Sequence, residues 1–332
     1  MILDLQLERA VSEVRSRKAK LVGLQMPEGL KTKARDFADA LEKVTGCQVV
    51  VLGDPCYGAC DLKAPHGLDL LVHVGHAPIP DLRPEMPTVF LEVRMDYGPV
   101  EVISKITARI KARVGLVATA QHVHLLPSVE DALKGLGRTV LIGQGDDRLN
   151  APGQVLGCNV TSALSIMKDV EQYIFLGSGY FHPLAVSLGT GLPVLCIDPY
   201  RGAVDDLDAF REQVVRQRYA SMAKAMGAKD WLVLLCDKPG QRRYELAVKC
   251  LEALRKKGMR ANIVMLNEVR AEALIPYRAE AAVSTACPRL AIDDGPHYPL
   301  PLLTPWEMEM VLGLRSMDDY RFDQILVGDT PD

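Results

Sequence analysis

Apolar positions along this chain fall into short runs, separated by segments whose apolar residues recur on one helical face. Residues 20–25, Lys-Leu-Val-Gly-Leu-Gln, form a strand-length apolar run that Pro27-Glu-Gly29 closes. Residues 30–45 then place Leu30, Ala34, Phe37, Ala38 and Leu41 on one face, and Gly46 supplies a helix end. Residues 48–52 give the next strand. The same layout returns twice: a strand at 114–118, a helix at 127–135 and a strand at 139–142, then a strand at 231–236, a helix at 241–257 and a strand at 261–266. Each unit adds two further apolar runs, at 68–74 and 88–93, at 172–176 and 193–197, and at 281–284 and 299–303. The first nine residues interleave charges with leucines and predict an amphipathic helix, and segments 99–113 and 204–227 predict connecting helices.

Short apolar strands alternating with helices predict parallel βαβ units with both sheet faces covered. A repeat of about a third of the chain far exceeds the roughly 20–50 residues of a solenoid. The pattern predicts an α/β fold of three similar small parallel-sheet domains, residues 1–100, 101–203 and 204–332, in a pseudo-threefold arrangement around a central cleft.

Composition narrows the class. Hydrophobic residues make up 48% and charged residues 24% of 332, and the net charge is −3, so bulk charge does not predict a nucleic-acid binder. The apolar runs are far shorter than the roughly 20 residues of a membrane helix, and the start lacks the features of a signal peptide. A cytoplasmic protein with no membrane partner is the expectation. In a reducing compartment the eight cysteines do not predict a disulfide framework. Cys196, Cys236 and Cys250 lie inside predicted elements and read as buried packing residues, and Cys47 lies at a strand entrance.

Three cysteines remain, each in a turn-like motif in a different third: Tyr57-Gly-Ala-Cys60, Leu156-Gly-Cys158-Asn159 and Thr285-Ala-Cys-Pro288. All follow predicted strands, Cys60 and Cys158 the second of their units and Cys287 the third, so all sit at carboxyl ends, where open α/β sheets bind ligands. Gly58, Gly157 and Pro288 flank the three sulfurs. Cys56-x3-Cys60 offers one zinc-like pair, but no second pair exists. One thiolate per domain suits an iron–sulfur cluster with one iron left open, and Cys56 stays a minor alternative ligand. Further candidates to touch a cofactor are Gln25 and Glu28 before the first helix, Gly177, Ser178, Gly179 and His182 in the second unit, Lys238 in the third, and Arg289 and Asp293 beside Cys287. Arg289 could hold a carboxylate by two N–H groups. For each, a loop hydrogen bond or a surface charge is the plain alternative. His122 and His124 read as part of a solvated loop, and Asp205, Asp206 and Asp208 as the first turn of a helix.

At these residues the chain resembles the archaeal diphthamide synthase family. The resemblance rests on Leu24-Gln-Met-Pro-Glu-Gly-Leu30, Gly53-Asp-Pro-Cys-Tyr-Gly-Ala-Cys60, Leu71-Val-His-Val-Gly-His76, Leu156-Gly-Cys158, and Ser284-Thr-Ala-Cys-Pro-Arg-Leu290 continuing to Pro301-Leu-Leu-Thr-Pro-Trp-Glu307. It covers nearly the full chain. Two departures are Cys56, where family members often carry no cysteine, and Asp61-Leu-Lys63, a reduced version of the acidic stretch usual after the first cluster cysteine. The resemblance implies a 2-(3-amino-3-carboxypropyl)histidine synthase with a [4Fe–4S] cluster on Cys60, Cys158 and Cys287 and no further catalytic side chain. It implies S-adenosylmethionine as co-substrate, reductive cleavage of its Cγ–S bond, transfer of the aminocarboxypropyl group to C2 of a histidine in translation elongation factor 2, and release of methylthioadenosine. A homodimer and an external electron donor are implied too. A quinolinate synthase-like [4Fe–4S] dehydratase is the alternative enzyme, and a tandem α/β small-molecule-binding protein the alternative without catalysis.

Overall fold

The computed structural model describes residues 5–63, 65–94, 98–198 and 200–330. It contains three sheets with one strand order. The first sheet runs β2-β1-β3-β4, with β1 Leu21–Gln25, β2 Gln48–Val51, β3 Leu70–Val74 and β4 Thr88–Leu91, all parallel. The second runs β6-β5-β7-β8-β9, with β5 Arg113–Ala118, β6 Thr139–Leu141, β7 Gln172–Leu176, β8 Val194–Asp198 and β9 Ala203–Asp206. The third runs β11-β10-β12-β13, with β10 Asp230–Cys236, β11 Arg260–Leu266, β12 Ala281–Ser284 and β13 Leu302–Leu303. The threefold repetition of small α/β units expected from the apolar pattern is therefore present.

Local chemistry explains the elements. Every residue of β3, β7, β8 and β12 is buried, as central parallel strands covered on both faces require. Helix α2 (Ala34–Thr45), the second in the chain after α1 (Leu7–Arg17), buries Ala34, Phe37, Ala38 and Leu41 and ends at Gly46, whose φ of 73° suits glycine. Residues 28–33 form a tighter 3-10 turn, so the helix expected over 30–45 becomes α-helical only from Ala34. The third unit repeats the pattern with helix Tyr244–Lys256, whose buried Cys250 packs under β10 and β11. Nearer the C-terminus, Thr304 caps helix Pro305–Val311 by a capping box with Glu307, and Pro305 occupies the first turn. Glu307 also takes a bidentate contact from buried Arg218, at 2.8 Å to Nε and 2.6 Å to Nη2. The Thr-Pro-Trp-Glu motif is thus a structural clasp.

Two expectations are corrected. Asp205 and Asp206 lie in β9, antiparallel to β8, and only Asp208 opens the helix Asp208–Ala225. Asp205 reaches Arg201 at 3.1 Å and accepts from Tyr180 Oη at 2.8 Å, so its charge is neutralised at the sheet edge. His122 does not belong to a solvated loop: it is 3% exposed and its Nδ1 lies 2.9 Å from Thr119 Oγ1.

Candidate functional site

Carboxyl ends of strands from all three sheets face one cavity of about 490 Å³. That volume is within the roughly 300–1,000 Å³ of small-molecule sites. Cys60, Cys158 and Cys287 all line it. Cys60 sits in the loop after β2, Cys158 in the loop after β6, and Cys287 directly after β12. All eight cysteines are free thiols.

Charge and burial say what such a trio can be. The Cys287 thiol is pushed well above its ordinary value by burial, then by the charges of Cys158 and Cys60. Cys158 is raised to about 12, by burial first and by Cys60 next. Cys60 is raised by burial, with a hydrogen bond from Gln241 acting against it. Three buried sulfurs, two of them raised further by a neighbouring cysteine, are not expected to ionise together unless a positive centre sits among them. Soft thiolates from three separate loops beside an open volume suit an iron–sulfur cluster better than a closed zinc site. Space around the sulfurs is kept by glycines: a Cβ on Gly157 would fall 1.8 Å from the Phe181 ring, and one on Gly240 would fall 2.5 Å from Cys60 Cβ.

The loop after β10 joins the three cysteines. Gly240 N–H donates to Cys60 O at 3.0 Å. Gln241 Nε2 donates to Cys60 Sγ at 3.4 Å, and its Oε1 accepts from Cys287 N at 3.3 Å. Arg243, from the same loop, donates from Nε to Thr285 O at 2.7 Å and from Nη2 to Ala286 O at 3.0 Å, gripping the turn that carries Cys287. Its other contacts go to Asp323 and Gln324 O in the C-terminal segment. That segment returns to the second cysteine, since Ile325 N donates to Cys158 O at 2.8 Å. Arg148 ties the same region together, donating to Asp81 at 3.2 Å, Thr330 at 3.1 Å and Gly240 O at 3.2 Å.

The other sequence candidates divide. Lys238, His182 and Arg289 line the cavity. Lys238 Nζ lies 3.0 Å from Asp61, 2.7 Å from Glu268 and 4.4 Å above the Tyr57 ring. Burial alone would lower its pKa, but the hydrogen bond to Glu268 and the charge of Asp61 raise it, so the ammonium persists. His182 is lowered to about 4, by burial first and then by Arg289 and His76. Arg289 pairs with Asp293 at 3.1 Å and lies over Phe181. Asp293 itself, Gln25, Glu28, Gly177, Ser178 and Gly179 are not on the cavity wall. Glu28 is exposed and pairs with Lys31, and Ser178 donates to Asp198 at 3.2 Å. Gln25 is buried behind the wall, donating to Asp61 O at 2.8 Å. Cys56 also lies off the wall, and its Sγ and one ring nitrogen each of His73 and His76 lie within 4.8 Å of one another.

A family model for diphthamide synthesis proteins matches residues 26–321. The chain belongs to the diphthamide synthesis protein family. Its relatives include the 2-(3-amino-3-carboxypropyl)histidine synthase of Pyrococcus horikoshii, 37% identical over 99% of this chain and 95% of that protein. Subunit 1 of the mouse synthase is 31% identical over 93% of this chain and 72% of that protein. The crystal structure of Dph2 from Pyrococcus horikoshii with a 4Fe-4S cluster superimposes with a TM-score of 0.90 at 36% identity, covering 100% of this chain and 97% of that one. Membership makes this chain an enzyme of diphthamide synthesis. No helix among the described residues is long and apolar enough to cross a membrane.

Within this family's fold, Gln241 and Arg243 are site features that the sequence did not single out, and His73 and His76 entered only through the Leu71-Val-His-Val-Gly-His76 motif, with no site role. Gln241 and Arg243 follow a Pro-Gly turn at the carboxyl end of β10, which is the signal that could have found them.

Proposed function

We propose that this chain transfers the 3-amino-3-carboxypropyl group of S-adenosylmethionine to C2 of a histidine in translation elongation factor 2. Methylthioadenosine leaves, and the product is the first intermediate of diphthamide biosynthesis. The observation that carries this reading is the meeting of Cys60, Cys158 and Cys287, one from each sheet unit, on a single cavity wall. Its support from relatives is the Dph2 crystal structure with a 4Fe-4S cluster.

When bound, a [4Fe–4S] cluster on these thiolates supplies the electron for reductive cleavage of the Cγ–S bond and an open iron for the co-substrate. The chain's own residues do the rest. Gln241 and Arg243 fix the separation of the Cys60 and Cys287 loops. Arg289, beside Cys287, offers two N–H groups for the methionine carboxylate in place of its partner Asp293. Ile79, Leu156, Phe181 and Leu290 line the cavity with apolar surface that excludes water. Three bonds meet at the sulfonium, so orientation within this wall selects which one breaks. Domain limits at 1–100, 101–203 and 204–332 put Cys60, Cys158 and Cys287 in different units, and the last strand of the second sheet, β9, crosses the limit at 203. The reading includes a cytoplasmic homodimer fed by an external electron donor.

The test is an anaerobic assay with reductant, S-adenosylmethionine and the elongation factor. Methylthioadenosine together with the added mass of one aminocarboxypropyl group on one histidine supports the proposal. A cluster-loaded protein that forms neither product defeats it.

A further inference from the structure

The cavity wall is divided by charge. Its charged residues, Lys238, Glu268, Arg270, Arg289 and Asp294, all come from the third sheet unit. The wall contributed by the first two units carries no Asp, Glu, Lys or Arg among the described residues. A molecule with ammonium and carboxylate ends finds its partners on the third-unit side, whereas an uncharged heterocycle meets no unpaired charge on the other.

On the neutral side stands His76, at the outer end of a hydrogen-bonded chain whose polarity is fixed from inside. The backbone carbonyl of Asp61 can only accept, so the Gln25 atom 2.8 Å from it is the amide nitrogen. Gln25 Oε1 therefore faces His73 Nδ1 at 3.0 Å, and that nitrogen carries the proton. His73 Nε2 is left with a lone pair, and His76 Nδ1, 3.0 Å away, donates to it. The unprotonated nitrogen of neutral His76 is then Nε2, on a side chain that lines the cavity. Gln121 Nε2 donates to Gly75 O at 3.1 Å, so the second unit holds the backbone just before His76. Burial lowers the His76 pKa to about 4, which keeps the ring a neutral acceptor. An amide oxygen at the inner end cannot take up a proton, so the chain sets a tautomer and does not conduct. Cys56 completes a set with metal-like spacing, but a proton already occupies the nitrogen–nitrogen contact and a metal would have to displace it.

Resting on the transferase reading, we propose that His76 Nε2 accepts a hydrogen bond from the imidazole N–H of the target histidine. C2 adjoins both ring nitrogens, so holding one N–H fixes the direction in which C2 points. His76 is the contact residue, and Gln25 and His73 are positioning residues that keep its acceptor turned to the cavity.

Two variants and one spectrum test this. His76→Phe keeps an aromatic ring and removes the acceptor, and His76→Gln keeps an acceptor oxygen. With iron content checked first, KM and kcat for the elongation factor are measured on the cluster-loaded proteins. His76→Phe is expected to raise KM roughly tenfold to hundredfold, the cost of one buried hydrogen bond lost, and His76→Gln to recover most of that. Nitrogen-15 NMR of the cluster-free wild type is expected to show His76 protonated at Nδ1 and bare at Nε2, and added 4-methylimidazole to shift the Nε2 resonance. An unchanged KM in His76→Phe overturns the proposal, as does a spectrum with the proton on Nε2. A wild type that makes no methylthioadenosine defeats the transferase reading separately, and the spectrum then still decides the orientation of His76.

Discussion

Replacing Arg243 by Met probes the link between fold and site most sharply. The guanidinium is 1% exposed, and its N–H groups are spent on Thr285 O (2.7 Å), Ala286 O (3.0 Å), Gln324 O (3.0 Å) and both oxygens of Asp323 (2.7 and 3.0 Å). Burial alone would lower its pKa, but the charge of Asp323 raises it, so the group stays charged. Methionine matches the apolar stem and leaves the Asp323 carboxylate and three carbonyls without a donor. Removing one partner of a buried pair costs about 3–5 kcal/mol. At roughly 2–4 °C per kcal/mol, the apparent Tm falls by about 6–20 °C. Since Thr285 and Ala286 lead into Cys287, reconstituted iron per chain falls as well. Arg243→Lys restores a charge but not the planar fork, so it recovers part of the stability and little of the iron. Thermal scans with iron determination on the wild type and both variants check this. A Met variant with the wild-type Tm and full iron would refute the claim that this arginine sets the Cys287 turn.

Further expectations follow from the same geometry. Single replacement of Cys60, Cys158 or Cys287 by Ala removes activity and cuts iron retention, while Cys56→Ala, whose sulfur lies off the cavity wall, leaves both near wild type; product and iron assays read this, and full activity in any of the first three breaks the ligand assignment. Stability of the cluster-free protein falls as pH drops from about 7.5 to about 5.5. Burial lowers His73 to about 3, with His76 adding, and lowers His122 to about 4, with His124 adding, against 6.5 for the unfolded chain. Between those values the unfolded state binds protons that the folded state refuses. Each such histidine contributes about 1.4 kcal/mol of loss by about pH 5.5. Urea midpoints at the two pH values check the sign, and equal or rising stability at the lower pH contradicts it.

The fold was legible because the central strands are mainly apolar runs between turn formers, as in β7 and β12, which fall where the sequence placed them. Strand β9 was not, because its Val-Asp-Asp stretch also fits a helix start; only its antiparallel backbone pairing with β8 makes it a strand. The cysteine trio could be read from its motifs and its positions after strands. Of the residues around it, Lys238, His182 and Arg289 were legible as neighbours of strand ends, and others were not. His122 looks polar in sequence but is buried with a Thr119 hydroxyl beside it. Gln241 and Arg243 act on loops far away in the chain, and nothing local to Lys238-Pro-Gly-Gln241 announces those partners. His73 carried a usable signal, being a histidine inside an apolar strand, yet its place in the hydrogen-bonded chain that orients His76 depends on Gln25 from a neighbouring strand.

On the proposed function, three cysteines from three sheet units hold one cluster with an iron open to the co-substrate. Mössbauer spectroscopy of anaerobically reconstituted, iron-57-labelled protein tests it directly. About four iron atoms per chain are expected, of which about one in four changes its signal when S-adenosylmethionine is added. A spectrum in which no iron responds, or a protein that takes up no iron, contradicts it.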